Sequence, residues 1–219
     1  MISWLLSTLL SEMPKPRYTA MEQTAYEELA AQYTNGQNPE YNLPYPQLKF
    51  LQYLSEGGQY LFHGSNNKEI DRFQPRKQTL YNNELVEAVF AAADPNWSVF
   101  YAVLNRSNVL GGFRNGCIYA KGRRFHFYSL NASTISNQPW TSGSIYILPK
   151  SSFRRASKGR VYFDEWISEQ PVTPIAKLDI TVDDFYFINK VAVHNDNESL
   201  IKSYLLYKLR IKRRRQAVE

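Results

Sequence analysis

Three short segments combine residue types that can bind a ligand or take part in a reaction. The first is YLFHGS at 60–65, where an apolar stretch ends in a histidine, a glycine and a serine. The second is FAAADPNWSVFY at 90–101, which places a serine eight residues and a tyrosine eleven residues after its phenylalanine. The third is VYFDEWIS at 161–168, which carries Glu165 between aromatic residues. Together they offer an imidazole, hydroxyls, flat rings and a carboxylate to one ligand.

The local pattern predicts the elements that position these residues. Segments 59–64, 85–92 and 160–168 have the β-branched and aromatic composition of strands. A helix follows the second strand, since Asp94 can cap it and Pro95 suits its first turn. Strand alternation in the third segment then places Glu165 on one face with the nearby apolar residues Phe163 and Ile167. A carboxylate on such a face is costly unless it has a partner or a role.

The remaining elements follow the order of an α+β fold. Further strands are predicted at 144–149 and 174–182, a hairpin turns at Lys121–Gly122, and 66–84 is predicted to be irregular. Helices are predicted at 22–33, 47–54 and 197–215, the last with an apolar side made of Leu200, Ile201, Tyr204, Tyr207 and Ile211. Because helices come first and strands later, we expect antiparallel sheets with a helical preface and a C-terminal helix. We divide the chain into an N-terminal extension, 1–58, packed on the core, and a domain, 59–219, that contains the three segments with candidate catalytic groups and ends in a basic helix.

Composition narrows the class of protein. The chain has 219 residues, 43% of them hydrophobic, which is enough for a real core. Its single cysteine, Cys117, excludes a disulfide within the chain and favours a reducing, cytoplasmic compartment. No stretch approaches the roughly 20 apolar residues of a membrane span, so we expect no membrane partner. We find no metal-ligand spacing, no dinucleotide-binding G-x-G-x-x-G and no P-loop.

The three segments together resemble the ADP-ribosyltransferase superfamily, in its diphtheria-toxin and poly-ADP-ribose-polymerase branch. That branch carries a His-Gly-Ser or His-Gly-Thr strand end, then an aromatic strand and a helix, then a glutamate on a late strand. The aromatic residue of the family pattern is followed eight positions on by a small hydroxyl residue and eleven positions on by a tyrosine, as Phe90 is here by Ser98 and Tyr101. The resemblance spans about Tyr60 to Ile175 and is absent from the first 58 and the last 30 residues.

The resemblance implies an ADP-ribosyltransferase-like fold with split antiparallel sheets and NAD as co-substrate. Glu165 would stabilise the cation-like ribose formed when nicotinamide leaves. Phe90 and Tyr101 would stack on the nicotinamide ring, while Gly64 and Ser98 would bind its carboxamide. His63 would hold the ribose on the adenosine side and is the second catalytic residue, and Ser65 completes the cofactor-binding set.

Each of these residues also has an ordinary structural interpretation. His63 can be a strand-end histidine with a satisfied hydrogen bond, and aromatic residues at positions such as 90 and 101 are often core residues. Glu169 continues the alternation of Glu165 and is the rival carboxylate. Many members of the branch carry tyrosine where this chain has Phe90, so a pocket that binds without catalysis stays open. His126 and His194 show no partner pattern and are predicted to be structural or surface residues.

The acceptor of the ADP-ribose is the least constrained prediction. The net charge of +6, the basic-aromatic run 121–128 and six cations between Lys208 and Arg215 favour nucleic acid slightly over an acidic protein. A solvated helix end is the simpler interpretation of the C-terminal cations. The resemblance further implies a toxin-like mono-ADP-ribosyltransferase that an antitoxin neutralises. The alternatives are a non-catalytic binding module and an NAD-dependent RNA 2′-phosphotransferase-like enzyme.

Overall fold

The computed structural model describes residues 2–216 and the side chains up to Arg214. These residues form six α-helices: α1 Ile2–Leu9, α2 Ala20–Thr34, α3 Gln47–Gly57, α4 Pro95–Val103, α5 Ala132–Ser136 and α6 Leu200–Gln216. The strands are β1 Tyr60–Ser65, β2 Arg76–Thr79, β3 Leu85–Ala91, β4 Phe113–Ala120, β5 Arg123–Asn131, β6 Gly143–Pro149, β7 Arg154–Arg155, β8 Val161–Phe163, β9 Trp166–Ser168, β10 Ala176–Ile180 and β11 Ala192–His194. The protein therefore has the expected α+β class with a C-terminal helix.

The strands form three sheets that are antiparallel except for one pairing. Their orders are β1-β6-β10, β11-β5-β4-β8 and β2-β3-β9-β7, and only β11 runs parallel to its neighbour, β5. A bridge between Phe62 and Ala92 joins the first sheet to the third. The predicted hairpin is confirmed, since Lys121 and Gly122 have φ values of 50° and 77° between β4 and β5. Two successive positive φ angles match the twist of paired strands.

Helix α4 lies at the centre of the fold because it is apolar around most of its circumference. Asp94 caps it by accepting the N–H of Trp97 at 3.0 Å, and Pro95 opens its first turn, as the sequence predicts. Phe100, Val99 and Val103 are fully buried. The main core cluster packs α4 against β1, β6 and the helices α2 and α3, with buried members that include Tyr26, Leu51, Phe62, Phe100, Tyr128 and Ile145. Residues 20–57 thus bury apolar surface against the strands, whereas the boundary at residue 58 stays a prediction.

Three local predictions are wrong. The segment 66–84 is not wholly irregular, since β2 forms a hairpin with β3. The late strand 160–168 is interrupted at Asp164 and Glu165, because β8 pairs with β4 whereas β9 pairs with β3 and β7. The apolar side of α6 is shorter than expected, since Leu200 and Ile201 are exposed whereas Tyr207 and Ile211 are buried. Among residues 2–216, every helix is too short or too polar to cross a lipid bilayer.

Candidate active site

One cavity of about 230 Å³ brings the three segments together. Strand β1 contributes part of the lining, and so do the end of β3 and the first turns of α4. The carboxylate comes from the segment between β8 and β9. Six of the seven predicted site residues line it: His63, Gly64, Phe90, Ser98, Tyr101 and Glu165. The seventh, Ser65, lies in an adjoining cavity. Their proximity was predicted from separate parts of the chain, and their roles stay predictions.

Gly64 allows β1 and α4 to approach each other. A Cβ built on Gly64 would lie 1.8 Å from the backbone oxygen of Ser98, so no side chain fits there. Phe62 exchanges both of its backbone hydrogen bonds with Ala92. Since backbone groups in an antiparallel strand alternate sides, the N–H and C=O of Gly64 point the same way, beyond the point where the partner chain turns into α4. Because Gly64 lines the cavity, we expect these two groups to be available to the amide of a ligand there.

His63 is held in one tautomer by the strand next to it. Its Nδ1 lies 2.6 Å from the carbonyl oxygen of Phe90, which can only accept, so Nδ1 carries the proton. Burial lowers the pKa of His63 despite this bond, and nearby Arg106 and Arg76 lower it further. The imidazole is therefore neutral near pH 7, and its Nε2 is a hydrogen-bond acceptor suited to a hydroxyl group.

The hydroxyl of Ser98 is already engaged within the protein. Its Oγ donates to the carbonyl oxygen of Phe62 at 2.9 Å, and the residue is 3% exposed. The lone pairs of Oγ are then the groups left for a ligand, so Ser98 is arranged to accept a hydrogen bond rather than to donate one. An amide NH₂ is the part of a carboxamide that fits it.

The side-chain amide of Asn115 holds two of the aromatic side chains that line the cavity, Trp97 and Tyr101. Asn115 Oδ1 accepts the hydroxyl of Tyr101 at 2.9 Å and the indole N–H of Trp97 at 2.6 Å. Burial raises the pKa of Tyr101, so its hydroxyl keeps the proton that it donates. The guanidinium of Arg106 lies 5.4 Å from the centre of the Tyr101 ring. Phe90 lines the same cavity from β3, and the rings leave flat apolar surface for a planar group.

Glu165 lies where the chain crosses from one sheet to another. Its Oε2 accepts the backbone N–H of Tyr81, at the tip of the β2–β3 hairpin, at 3.0 Å, and its own carbonyl accepts the N–H of Ala156 at 2.9 Å. Burial raises its pKa, and the bond from Tyr81 opposes part of that rise. Oε1 has no such partner among the described residues, so one oxygen of a partly buried carboxylate is left for a ligand.

The rival carboxylate lies elsewhere. Glu169 is exposed and pairs with Arg154 at 2.6 Å, and it is not among the residues that line either cavity. Surface pairs of this kind contribute little to stability. The interruption of the strand explains the difference, because strict alternation from Glu165 to Glu169 requires one continuous strand.

A second cavity of about 460 Å³ adjoins the first. The two share His63, Gly64, Gln78, Phe90, Tyr101 and Arg106. The second also contains Ser65, whose Oγ accepts the N–H of Asn67 at 3.1 Å in the turn after β1. Its charged lining residues are all cations: Arg72, Arg76, Lys77 and Arg106. The combined site is therefore aromatic with one carboxylate at one end and cationic at the other.

A buried ionic cluster lies behind Glu165. Asp164 Oδ2 accepts the backbone N–H of Asp94 at 2.7 Å and lies 3.5 Å from Nε of Arg124. Asp94 Oδ2 lies 3.4 Å from Nε2 of His126 and 3.8 Å from Arg124. Burial would raise the pKa of Asp94, but His126 and Arg124 hold it below its ordinary value. The cluster thus ties the start of α4 to the residue next to Glu165.

Two members of this cluster, Asp94 and His126, form with Cys117 the only close group of three or more possible metal ligands in the described part of the chain. The donor atoms of Asp94, Cys117 and His126 lie within 4.8 Å of one another. Sequence spacing could not reveal them because they come from three elements. The carboxylate already faces Arg124, whose charge repels a cation. We assign no metal to it.

The remaining predictions concern the histidines and the C-terminal cations. His126 and His194 are buried, and Ser129 Oγ lies 2.8 Å from Nδ1 of His194. Two of the six cations between Lys208 and Arg215 act within the fold, since Arg210 pairs with buried Glu198 and Arg214 donates to Val191 at 3.0 Å. Arg215 lies outside the described side chains. The basic stretch is therefore partly structural.

Sequence reasoning missed several residues of the first cavity, among them Thr79, Trp97, Arg106 and Phe113. Trp97 precedes Ser98 in the same turn of helix and could have been included on that ground. Arg106 and Thr79 follow no motif and enter the site only through the fold. Comparison of the chain with protein-family models, with curated proteins and with solved structures gave no match.

Proposed function

We propose that the protein is an NAD-dependent mono-ADP-ribosyltransferase that transfers ADP-ribose to a macromolecule and releases nicotinamide. The observation that carries the proposal is the single cavity lined by His63, Gly64, Phe90, Ser98, Tyr101 and Glu165. These residues come from three separate segments, and each matches a position in the family pattern. The ADP-ribosyltransferase fold itself is part of the proposal, supported by the meeting of two antiparallel sheets at β1 and β3.

The chemistry follows from the groups that face the cavity. Gly64 and Ser98 bind the carboxamide, and Phe90 and Tyr101 flank the ring. As the bond from ribose to nicotinamide breaks, nicotinamide takes the electron pair and positive charge develops on the ribose. The free Glu165 oxygen stabilises that charge and binds a ribose hydroxyl. The acceptor then bonds to the ribose carbon and loses its proton to solvent or to Glu165.

The cationic cavity supports a dinucleotide ligand rather than a free nicotinamide. Arg72, Arg76 and Arg106 suit the two phosphates of NAD, since guanidinium groups bind phosphate oxygens in pairs. The neutral His63, with Nε2 as acceptor, suits a ribose hydroxyl between the two cavities. Together the cavities extend well beyond the volume of a nicotinamide ring.

A basic segment beside Glu165 supports nucleic acid as the acceptor. Residues 154–160 include four cations, and the segment is tied to the carbonyl of Glu165 through Ala156. Arg155 lies 4.2 Å from the centre of the Tyr162 ring, which itself stacks on Tyr119. Cations interleaved with rings suit a single strand, whose phosphates and bases need both. A toxin-like role, and an antitoxin as partner, belong to the same proposal.

A labelled-NAD transfer assay tests the proposal. Wild-type protein is incubated with labelled NAD and cell extract, beside Glu165→Gln and the matched variant Glu169→Gln, which alters an exposed carboxylate outside the site. We expect label on a macromolecule with wild type and Glu169→Gln, and at least about a hundredfold less with Glu165→Gln. The activity should fall with acid at a pH above 4.5, the ordinary pKa of a glutamate, because burial raises the pKa of Glu165.

The nature of the labelled product separates the outcomes. Label removed by nuclease but not by protease supports a nucleic-acid acceptor, and the reverse keeps the enzyme but replaces the acceptor with protein. Equal labelling by wild type and Glu165→Gln contradicts the assigned role of Glu165. If the protein binds NAD but does not consume it with extracts from several sources, the result supports a non-catalytic binding module. Phe90 is then the first residue to substitute, because many members of the branch carry tyrosine there.

The arginines of the second cavity favour one further candidate. An RNA 2′-phosphotransferase-like enzyme needs extra arginines near its NAD site, and Arg72, Arg76 and Arg106 lie close to His63. The test is an RNA oligonucleotide with a single internal 2′-phosphate. Loss of that phosphate, dependent on NAD and with no ADP-ribose left on the RNA, would favour this candidate over the transferase.

A further inference from the structure

Helix α6 is apolar on the side that faces solvent as well as on the side that faces the core. Ser203, Tyr207 and Ile211 are buried against the strands. On the opposite side Ile201, Leu205 and Leu209 are exposed by 74%, 58% and 44%. Their spacing of four residues places them in one stripe along the helix. The stripe is not needed for the core, so its composition calls for another explanation.

The neighbouring helix α1 also exposes apolar side chains. α1 packs against α6, and its Leu6 and Leu9 pack against the buried cluster that includes Tyr207 and Ile211, while Trp4 and Leu5 are exposed by 70% and 50%. Thirteen large apolar side chains are exposed in the described part of the protein, and seven of them lie on α1 and α6. We call the exposed apolar side chains of these two packed helices, Trp4, Leu5, Ile201, Leu205 and Leu209, the α1–α6 face. Such concentration is typical of an interaction site rather than of scattered surface residues.

The charged side chains that the two helices themselves carry are all cations, and Glu12, a carboxylate close to Lys208, is paired with Arg123. Lys202, Lys208, Lys212 and Arg213 are exposed on α6, and neither helix contains an acidic residue. Arg210 and Arg214 are engaged with Glu198 and Val191 and do not contribute. An occupant of this surface must therefore offer apolar side chains flanked by negative charge.

We propose that the α1–α6 face binds an acidic amphipathic helix of a partner protein. Two packed helices that expose apolar side chains suit a third helix with apolar residues three and four apart. A second copy of this chain is disfavoured, because two identical faces would bring their cations together. The inference stands apart from the proposed enzyme activity, since the face contains none of the residues of the cavity.

The experiment uses two labelled synthetic helical peptides and the full-length protein. Both peptides carry leucine at positions i, i+3, i+4 and i+7, and the remaining positions are mainly glutamate in one peptide and lysine in the other. Binding is followed by fluorescence anisotropy. We expect the glutamate peptide to bind at least about tenfold more tightly, because it alone complements the cations. Ile201→Asp/Leu205→Asp should weaken it at least about tenfold, whereas the matched variant Met21→Asp, at another exposed apolar residue, should not.

Charge reversal provides the second arm. Lys208→Glu/Lys212→Glu should shift the preference toward the lysine peptide, a result that a loss of folding cannot produce. Equal binding of both peptides, or binding unaffected by Ile201→Asp/Leu205→Asp, overturns the proposal. Binding to vesicles of anionic phosphatidylglycerol but to neither peptide would replace the partner helix with a lipid surface. A dimer in sedimentation that the same variant dissociates would replace it with a second copy.

Discussion

At Gly64 a single hydrogen in place of a side chain lets β1 lie against α4. We expect Gly64→Ala to lower the free energy of unfolding by about 3 kcal/mol or more, since the new methyl group meets the backbone of Ser98. Gly57→Ala is the matched control, because a Cβ there meets nothing within 4 Å and alanine favours the helix. Urea unfolding of both variants measures the difference. Equal stability of the two would contradict the close packing of β1 on α4.

Asn115 acts on the site through Tyr101 and Trp97, so it is a positioning residue. We expect Asn115→Leu to raise KM for NAD about 5- to 10-fold, because two side chains of the cavity lose their shared acceptor. Asn115→Asp keeps an oxygen at this place and should restore most of the affinity. Binding of nicotinamide alone, followed by the fluorescence of Trp97, gives a readout that does not depend on turnover. A purely structural role would leave nicotinamide affinity unchanged in the folded fraction.

Helix α6 is anchored at its N-terminal end by a buried carboxylate. Glu198 bonds to both guanidinium nitrogens of Arg210 and to Ser203, and these bonds lower its pKa to about 2. Because the folded pKa lies below the ordinary 4.5, the stabilisation is complete above about pH 4.5 and is lost as pH falls toward about 2. We expect Glu198→Gln to cost about 1.5 to 3 kcal/mol at pH 7 and to remove this pH dependence. Urea unfolding at pH 7, 4 and 3 tests both, and an unchanged acid profile would contradict the anchor.

The elements that the sequence predicted best are those with strong local signals. The cap of α4 depends on Asp94 and Pro95, and the hairpin depends on the turn at Lys121–Gly122. Both features are present in the structure. The interruption before Glu165 could not be predicted, because composition favours one strand and only pairing with two different sheets divides it. The exposed apolar side of α6 could not be predicted either. Periodicity shows which residues share a side of a helix, but it does not show which side packs against the rest of the protein.

The site was predictable where the chain repeats a known spacing and not where distant segments meet. Residues 90, 98 and 101 follow such a spacing and line one cavity. Arg72 and Arg106 enter the site from the segments after β1 and α4, and Arg76 enters it from the start of β2. None of these segments carries a motif. The role of Asn115 could not be predicted from the sequence for a similar reason, because a single amide side chain on a strand belongs to no recognisable local pattern.

The whole molecule carries a net charge of +6, and its distribution matters more than its size. We expect a single-stranded RNA oligonucleotide to bind with an affinity that falls as salt rises, with a slope of about −0.7 for each phosphate neutralised. Lys158→Ala/Arg160→Ala, in the segment beside Glu165, should reduce that slope by about 1.4. The control Lys212→Ala/Arg213→Ala removes as much charge from α6 and should leave the slope unchanged. Anisotropy titrations from 50 to 300 mM salt measure this, and equal effects of the two pairs would contradict the placement of RNA near Glu165.

The buried cluster of Asp94, Arg124, His126 and Asp164 has a consequence for how this chain can change over time. Asp164 immediately precedes the proposed catalytic Glu165 and accepts the backbone N–H of Asp94, the N-cap residue of α4. The same buried charges therefore position both Glu165 and the start of α4. Losing Arg124 alone would strand two buried carboxylates, whereas losing it together with one of them would cost far less. Substitutions here should therefore be strongly epistatic. Descendants of this chain are expected to keep these positions as a set or to exchange them in compensating pairs.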